Sequence, residues 1–148
     1  MLFFNNKYIY IYLMIVYLDG VFDLFHRGHL EAIKKAKSLG DTLIIGVISD
    51  YHCANYKRQP IINEIDRCEI IKSIKYVDEI VFPAPLIITN DFLNKHHIDL
   101  VVHGFSDEAD FERQKEFFKV CINQNKFKKI DYYTKISTTD IIKKINLV

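Results

Sequence analysis

Met14-Ile-Val-Tyr-Leu-Asp19 runs straight into Gly20-Val-Phe-Asp-Leu-Phe-His-Arg-Gly-His29, and the reading of this stretch decides the fold. The first segment is an unbroken apolar run rich in Ile, Val and Tyr, which suits a central strand buried on both faces. Gly20 and Gly28 then let backbone approach a ligand with no side chain in the way. A helix opening near His29 would aim free N–H groups and a positive dipole end at the same place, which favours phosphate. Two imidazoles at such a helix start can donate hydrogen bonds to phosphate oxygens without burying two fixed cations. Taken alone, His26 and His29 read better as two ordinary histidines, one capping and one buried; the full 20–29 string in its strand–loop–helix setting is what favours a site. No third ligand accompanies the pair, so a metal held by protein side chains is not expected.

Outward from that segment, strand and helix alternate. Residues 13–18 form the first strand. A helix follows from His29 to Leu39, with Leu30, Ile33 and Ala36 on one face, lysines on the other, and Gly40 as its stop. Leu43–Ile48 is a second strand, ending at Ser49-Asp50, and a polar loop carries Lys57, Arg58 and Pro60. Asn63 caps a helix through Lys75. Glu79–Phe82 is a third strand, Thr89 or Asn90 caps a short helix to His96 or His97, and Asp99–His103 is a fourth strand. Phe111–Cys121 is helical, Ile130–Tyr133 is a fifth strand, and a last helix begins at Thr138.

This order predicts an α/β fold: a Rossmann-like, doubly wound, parallel five-stranded sheet in a single domain over residues 14–148, after an N-terminal extension at 1–13. Ligands of such sheets sit beyond the carboxyl ends of the strands, at the switch point. The 20–29 loop, Asp50 to Lys57, His103-Gly104 and Ser137-Thr138-Thr139 should therefore converge.

Bulk properties narrow the partners. The 148 residues are 49% apolar and 26% charged, and 20 basic against 19 acidic side chains leave a net charge of +1, so no basic face for nucleic acid is expected. Tyr8–Leu18 is apolar but too short to span a bilayer, and no small-residue cleavage site follows, so no transmembrane segment is expected. Cys53, Cys68 and Cys121 match no zinc or redox spacing; they read as small buried hydrophobes in a reducing, cytoplasmic setting.

With these residues in place, the 20–29 segment resembles the H-x-G-H signature of the nucleotidyltransferase superfamily that includes the cytidylyltransferases. Gly46-Val-Ile-Ser-Asp50, Lys57, Pro60-Ile-Ile-Asn-Glu64, Arg67, Lys75-Tyr-Val-Asp-Glu-Ile80, Asp99-Leu-Val-Val-His-Gly104 and Ile136-Ser-Thr-Thr-Asp140 resemble the phospholipid-precursor cytidylyltransferases in order and spacing. The resemblance covers about residues 14–146. It implies direct displacement: the phosphate of a small alcohol phosphate attacks the α-phosphorus of CTP, and pyrophosphate leaves with Mg2+.

Carried over by position, it makes His26, His29 and Lys57 the catalytic candidates. Gly20, Val21, Phe22, Asp23, Gly28, His103, Gly104, Tyr132, Thr134, Ile136, Ser137 and Thr138 become the nucleotide-binding candidates. Lys57 reads otherwise as a solvated loop lysine, and Ser137 as a plain helix cap. Asp23 is expected to brace the loop through backbone N–H groups. Asp50 reads equally as a cap or a site residue. Arg67, in Glu64-Ile-Asp-Arg67, would reach phosphate or pair with a carboxylate on its own helix. Leu86 stands near the acceptor. The Lys75–Ile80 segment resembles the one through which family members pair, implying a homodimer.

Two departures bear on activity. Relatives read R-T-x-G-I-S-T before the last helix, where this chain has Tyr132-Tyr-Thr-Lys-Ile-Ser-Thr138; Tyr132 takes the arginine position, and Lys135 is the candidate replacement charge. Ala84-Pro-Leu86 and His103-Gly104 lack the aromatic and acidic groups of choline-phosphate enzymes and look closer to ethanolamine-phosphate enzymes, which usually carry two tandem copies of such a domain. Ethanolamine phosphate is the expected acceptor, with choline phosphate and glycerol 3-phosphate as alternatives. From another class, the lost arginine favours a weakly active or inactive CTP-binding dimerisation module. A tRNA-charging enzyme shares the histidines but would need a longer chain and a basic face.

Overall fold

A computed structural model describes residues 12–148. The expected extension at 1–13, and with it the start of the Tyr8–Leu18 run, therefore lies almost entirely outside the described residues. Five strands form one all-parallel sheet: β1 (Ile15–Gly20), β2 (Thr42–Val47), β3 (Glu79–Val81), β4 (Leu100–Gly104) and β5 (Phe127–Ile130), in the order β3-β2-β1-β4-β5. The chain leaves β1 toward β2 on one side and returns to β4 on the other, so the switch point lies beyond the ends of β1 and β4.

Alternation along the strands feeds two cores. Val16 and Leu18 of β1 and Leu43, Ile45 and Val47 of β2 face one helical layer; it holds Ile33 and Ala36 of α1 (Arg27–Lys37) and Cys68 and Ile71 of α3 (Glu64–Lys72). Tyr17, Ile44 and Val101 face the other, with Leu93 of α4 (Asn90–Lys95), Phe118 and Cys121. The three cysteines are free and buried. Gly46 is needed because Tyr17 lies over it: a Cβ there would come within 2.0 Å of the Tyr17 hydroxyl.

Three expectations about elements need correction. Asp50–Tyr56 is a helix, α2, where a loop was expected; Ser49 caps it by accepting from the His52 N–H, and only Cys53 of its residues is buried, so no apolar period announced it. The expected helix Phe111–Cys121 is three pieces: α5 (Glu108–Gln114), a 3-10 turn (Lys115–Phe118) and α6 (Lys119–Asn123). The fifth strand is Phe127–Ile130 and not Ile130–Tyr133. Its partner β4 ends at Gly104 opposite Ile130, so Asp131–Tyr133 have no neighbour to pair with and leave the sheet. The final helix α7 spans Thr138–Ile145, and Asn63 and Thr89 cap α3 and α4 as expected.

Candidate active site

The first turn of α1 is capped by imidazoles. His26 Nδ1 accepts from the Gly28 N–H at 2.9 Å, and His29 Nδ1 accepts from the His26 N–H at 3.2 Å. A ring nitrogen that accepts is bare, so in both neutral rings the proton sits on Nε2. The capping that a histidine pair was expected to perform and the donor role expected at a ligand are thus one arrangement: Nδ1 closes the helix and leaves Nε2–H as a donor. The rings lie 3.9 Å apart, centroid to centroid. Gly28 permits this, since a Cβ there would meet His26 Cε1 at 2.7 Å.

Burial keeps the pair neutral. Desolvation, then the nearby His26 and Lys57, push the His29 pKa from 6.5 down to about 3; burial also lowers that of His26, against the pull of Asp140. Thr138 at the start of α7 donates its hydroxyl to the Asp23 carbonyl at 3.1 Å, and its oxygen stands 3.4 Å from His26 Nε2. The two helix starts meet there.

Asp23, 3% exposed, anchors the segment before α3. Its carboxylate accepts from the Ile61 and Ile62 N–H groups at 2.9 and 2.8 Å and from Arg58 Nη1 at 3.0 Å. Burial alone would raise its pKa; these donors outweigh burial and hold it below the usual carboxylate value. The expected bracing by Asp23 is real, but it grips a strap 38 residues away and not its own loop. Phe22 and Leu24, beside it, sit at φ +57° and +49°. Such left-handed backbone in non-glycine residues is held by surrounding contacts.

Arg67 does neither thing expected of it. Fully buried, it donates to the carbonyls of Val21 (2.6 Å), Ile48 (2.9 Å) and Ile62 (3.0 Å) and pairs with Asp50 Oδ1 at 2.6 Å. One guanidinium thereby ties together the 20–29 loop, the end of β2 and the strap. Asp50 also accepts from the Glu64 N–H, and Glu64 from the Asp50 N–H, so Asp50 is part of this brace and not of the cleft.

One cleft at the switch point gathers Gly20, Val21, Phe22, Asp23, His26, Gly28, His29, Lys57, His103, Gly104, Tyr132, Ile136, Ser137 and Thr138. Ser137 caps α7 by accepting from the Asp140 N–H at 3.1 Å. Four residues expected at the site do not line it. Asp50 and Arg67 are committed to the brace, and Leu86 packs beside the cluster of Ile48, Cys53 and Ala84. Thr134 is the fourth; the exposed Lys135, the candidate replacement charge, does not line the cleft either.

The cleft adds residues that sequence reading missed, above all Asp19, Arg58, Asp131 and Tyr133. Asp19, next to last in β1, is 5% exposed, and its Oδ1 lies 3.3 Å from the buried Nδ1 of His103, which makes no other polar contact. A carboxylate ending an otherwise apolar strand was the available signal. Among the described residues no group of three or more His, Cys, Asp or Glu is arranged to hold a metal ion. No helix of the described residues is long and apolar enough to cross a membrane.

Similarity to known proteins fits this geometry. The chain is 34% identical over 131 residues to ethanolamine-phosphate cytidylyltransferase of Arabidopsis thaliana, covering 86% of this chain and 31% of that protein. It is 38% identical over 135 residues to the enzyme of the same name from Dictyostelium discoideum, covering 88% and 37%. It is also 38% identical to human choline-phosphate cytidylyltransferase A, covering 88% and 36%. The chain therefore spans about a third of the length of these relatives. Among solved structures, a lipopolysaccharide core biosynthesis protein from Thermoplasma volcanium GSS1 superimposes with a TM-score of 0.65 at 28% identity, covering 82% of this chain and 99% of that one. The family model described as Cytidylyltransferase-like matches residues 17–144, all of the sheet but the first two residues of β1 and every wall of the cleft, and the chain belongs to that family.

Proposed function

We propose that the chain transfers a cytidylyl group from CTP to ethanolamine phosphate, releasing pyrophosphate and a CDP-alcohol. The observation that carries this reading is the convergence of two neutral imidazole donors, Lys57 and the starts of α1 and α7 on one cleft. Displacement at phosphorus needs in-line positioning and donors aimed where charge grows, and no covalent nucleophile. His26 and His29 donate Nε2–H to phosphate oxygens, Lys57 supplies a fixed charge between the two substrates' phosphates, and Ser137 and Thr138 hold the triphosphate at the α7 start. Gly20 to Asp23, Gly28, Gly104, Tyr132 and Ile136 shape the nucleotide pocket. Mg2+ brought with CTP would supply charge that offsets its phosphates, with no protein side chain expected to hold it.

Asp19 and His103 favour ethanolamine phosphate over the alternatives. A primary ammonium brings hydrogen-bond donors that a quaternary one lacks, and the buried Asp19 carboxylate beside His103 offers an acceptor for them. Glycerol 3-phosphate would leave the Asp19 charge without a cation. On this reading the chain is cytoplasmic and two copies pair through Lys75–Ile80, which runs into the edge strand β3. A monomer by sedimentation at micromolar concentration would contradict the pairing.

Pyrophosphate release from CTP is measured with ethanolamine phosphate, choline phosphate and glycerol 3-phosphate in turn. Fastest release with ethanolamine phosphate is expected. CTP binding with no release on any acceptor would favour the nucleotide-binding module instead.

A further inference from the structure

The cleft has to neutralise a polyphosphate, and its fixed positive charge is scarce. Burial holds His29 neutral and works against protonation of His26. Lys135 does not line the cleft, and Tyr132 brings a phenol whose pKa burial raises. Arg27 stacks on the Tyr133 ring at 5.5 Å and pairs with Glu31. Among the described residues that line the cleft, Lys57 and Arg58 are the only lysine or arginine.

We infer that Arg58 is a polyphosphate-binding residue of the cleft, its guanidinium held ready by Asp23. Three observations support this. Nη1 is fixed between Asp23 Oδ2 at 3.0 Å and the Gln59 carbonyl at 3.3 Å, so the fork is oriented. Nε and Nη2 have no hydrogen-bond partner among the described residues, and the side chain is 39% exposed, so those donors remain for an anion. Asp23 already accepts two backbone N–H groups, which means its charge does not depend on Arg58 alone. A planar, permanently charged fork suits two phosphate oxygens at once, as Lys57 does not. The Asp23 carbonyl in turn takes the Thr138 hydroxyl, so one residue sets both Arg58 and the α7 side of the cleft.

This inference rests on reading the cleft as a nucleoside triphosphate site, and the test separates the two. The full chain, with and without Arg58→Gln or Arg58→Lys, is titrated calorimetrically with CTP and Mg2+, with inorganic tripolyphosphate, and with CMP. Arg58→Gln is expected to weaken CTP and tripolyphosphate about tenfold or more while weakening CMP less than about threefold, with Arg58→Lys between. The loss should shrink as salt is added. Unchanged tripolyphosphate affinity in Arg58→Gln overturns the inference, and so does an equal loss of CMP, which marks Arg58 as a brace only. If Arg58→Gln does not melt cooperatively, Arg58→Lys decides by the same selective or uniform pattern. A wild type that binds tripolyphosphate but not CTP removes the cytidylyl reading and leaves the tripolyphosphate comparison to judge Arg58. A wild type that binds neither overturns both.

Discussion

At the start of α1 the caps are the two imidazoles, each held by a backbone N–H nearby, whereas at the start of α7 the cap is Ser137 and the neighbouring Thr138 is what reaches the other wall. His26 and His29 are fixed by backbone N–H groups within four residues of each other. Thr138 is fixed by Asp23, 115 residues away, and Asp23 by the Arg58–Ile62 strap. One helix end is prepared locally, and the other only when the whole cleft has closed around it. Damage to the brace should therefore disorder the second end before the first.

The largest expected effect tests that dependence. Arg67→Met strips three carbonyls and Asp50 of their donor inside the protein; breaking a buried pair from one side costs about 3–5 kcal/mol. Urea unfolding checks the loss. In the protein that still folds, amide exchange should rise in the strap and at the α7 start more than at the α1 start. Uniform exchange would erase the distinction between the two ends.

Acidification probes the α1 end. The His29 pKa is depressed from 6.5 to about 3 by folding, so between those values the unfolded chain binds the extra proton. Stability is then complete above pH 6.5 and falls as pH drops toward 3. A pH series of melting temperatures should show this fall, and His29→Gln should flatten part of it. An identical slope in the variant would assign the acid lability elsewhere.

A smaller effect is expected at α7. Ser137→Ala removes one cap bond, worth about 1 kcal/mol, and should lower the melting point modestly with the fold intact. The smallest concerns Tyr132→Arg. With Arg58 already in the cleft, the added cation should tighten CTP only severalfold, and more in the Arg58→Gln background than alone. Equal gains in both backgrounds would mean that the two positions do not serve the same anion.

These differences also explain what could be read from the sequence. The α1 end was legible because strand, glycines and histidines are contiguous, and the sheet because its three inner strands, β2, β1 and β4, carry clear apolar runs. Asn63, Thr89 and Ser137 announced their helices by side-chain chemistry alone. The brace was not legible. Nothing local says that Arg67 will be buried under three carbonyls from separate loops, or that Asp23 will hold Ile61 and Ile62. The end of β5 was misplaced for a related reason: Asp131–Tyr133 look like strand residues, and only the length of β4 shows that they have no partner.

The central claim is that neutral Nε2–H donors at the α1 start stabilise charge developing on the transferred phosphate. The direct test measures kcat with CTP and ethanolamine phosphate, beside CTP affinity, in wild type and His29→Ala. The expected result is pyrophosphate release by the wild type and a loss of about a hundredfold or more in kcat, with CTP affinity changed only a few-fold. Equal turnover in the two proteins, or a loss confined to CTP affinity, would contradict it.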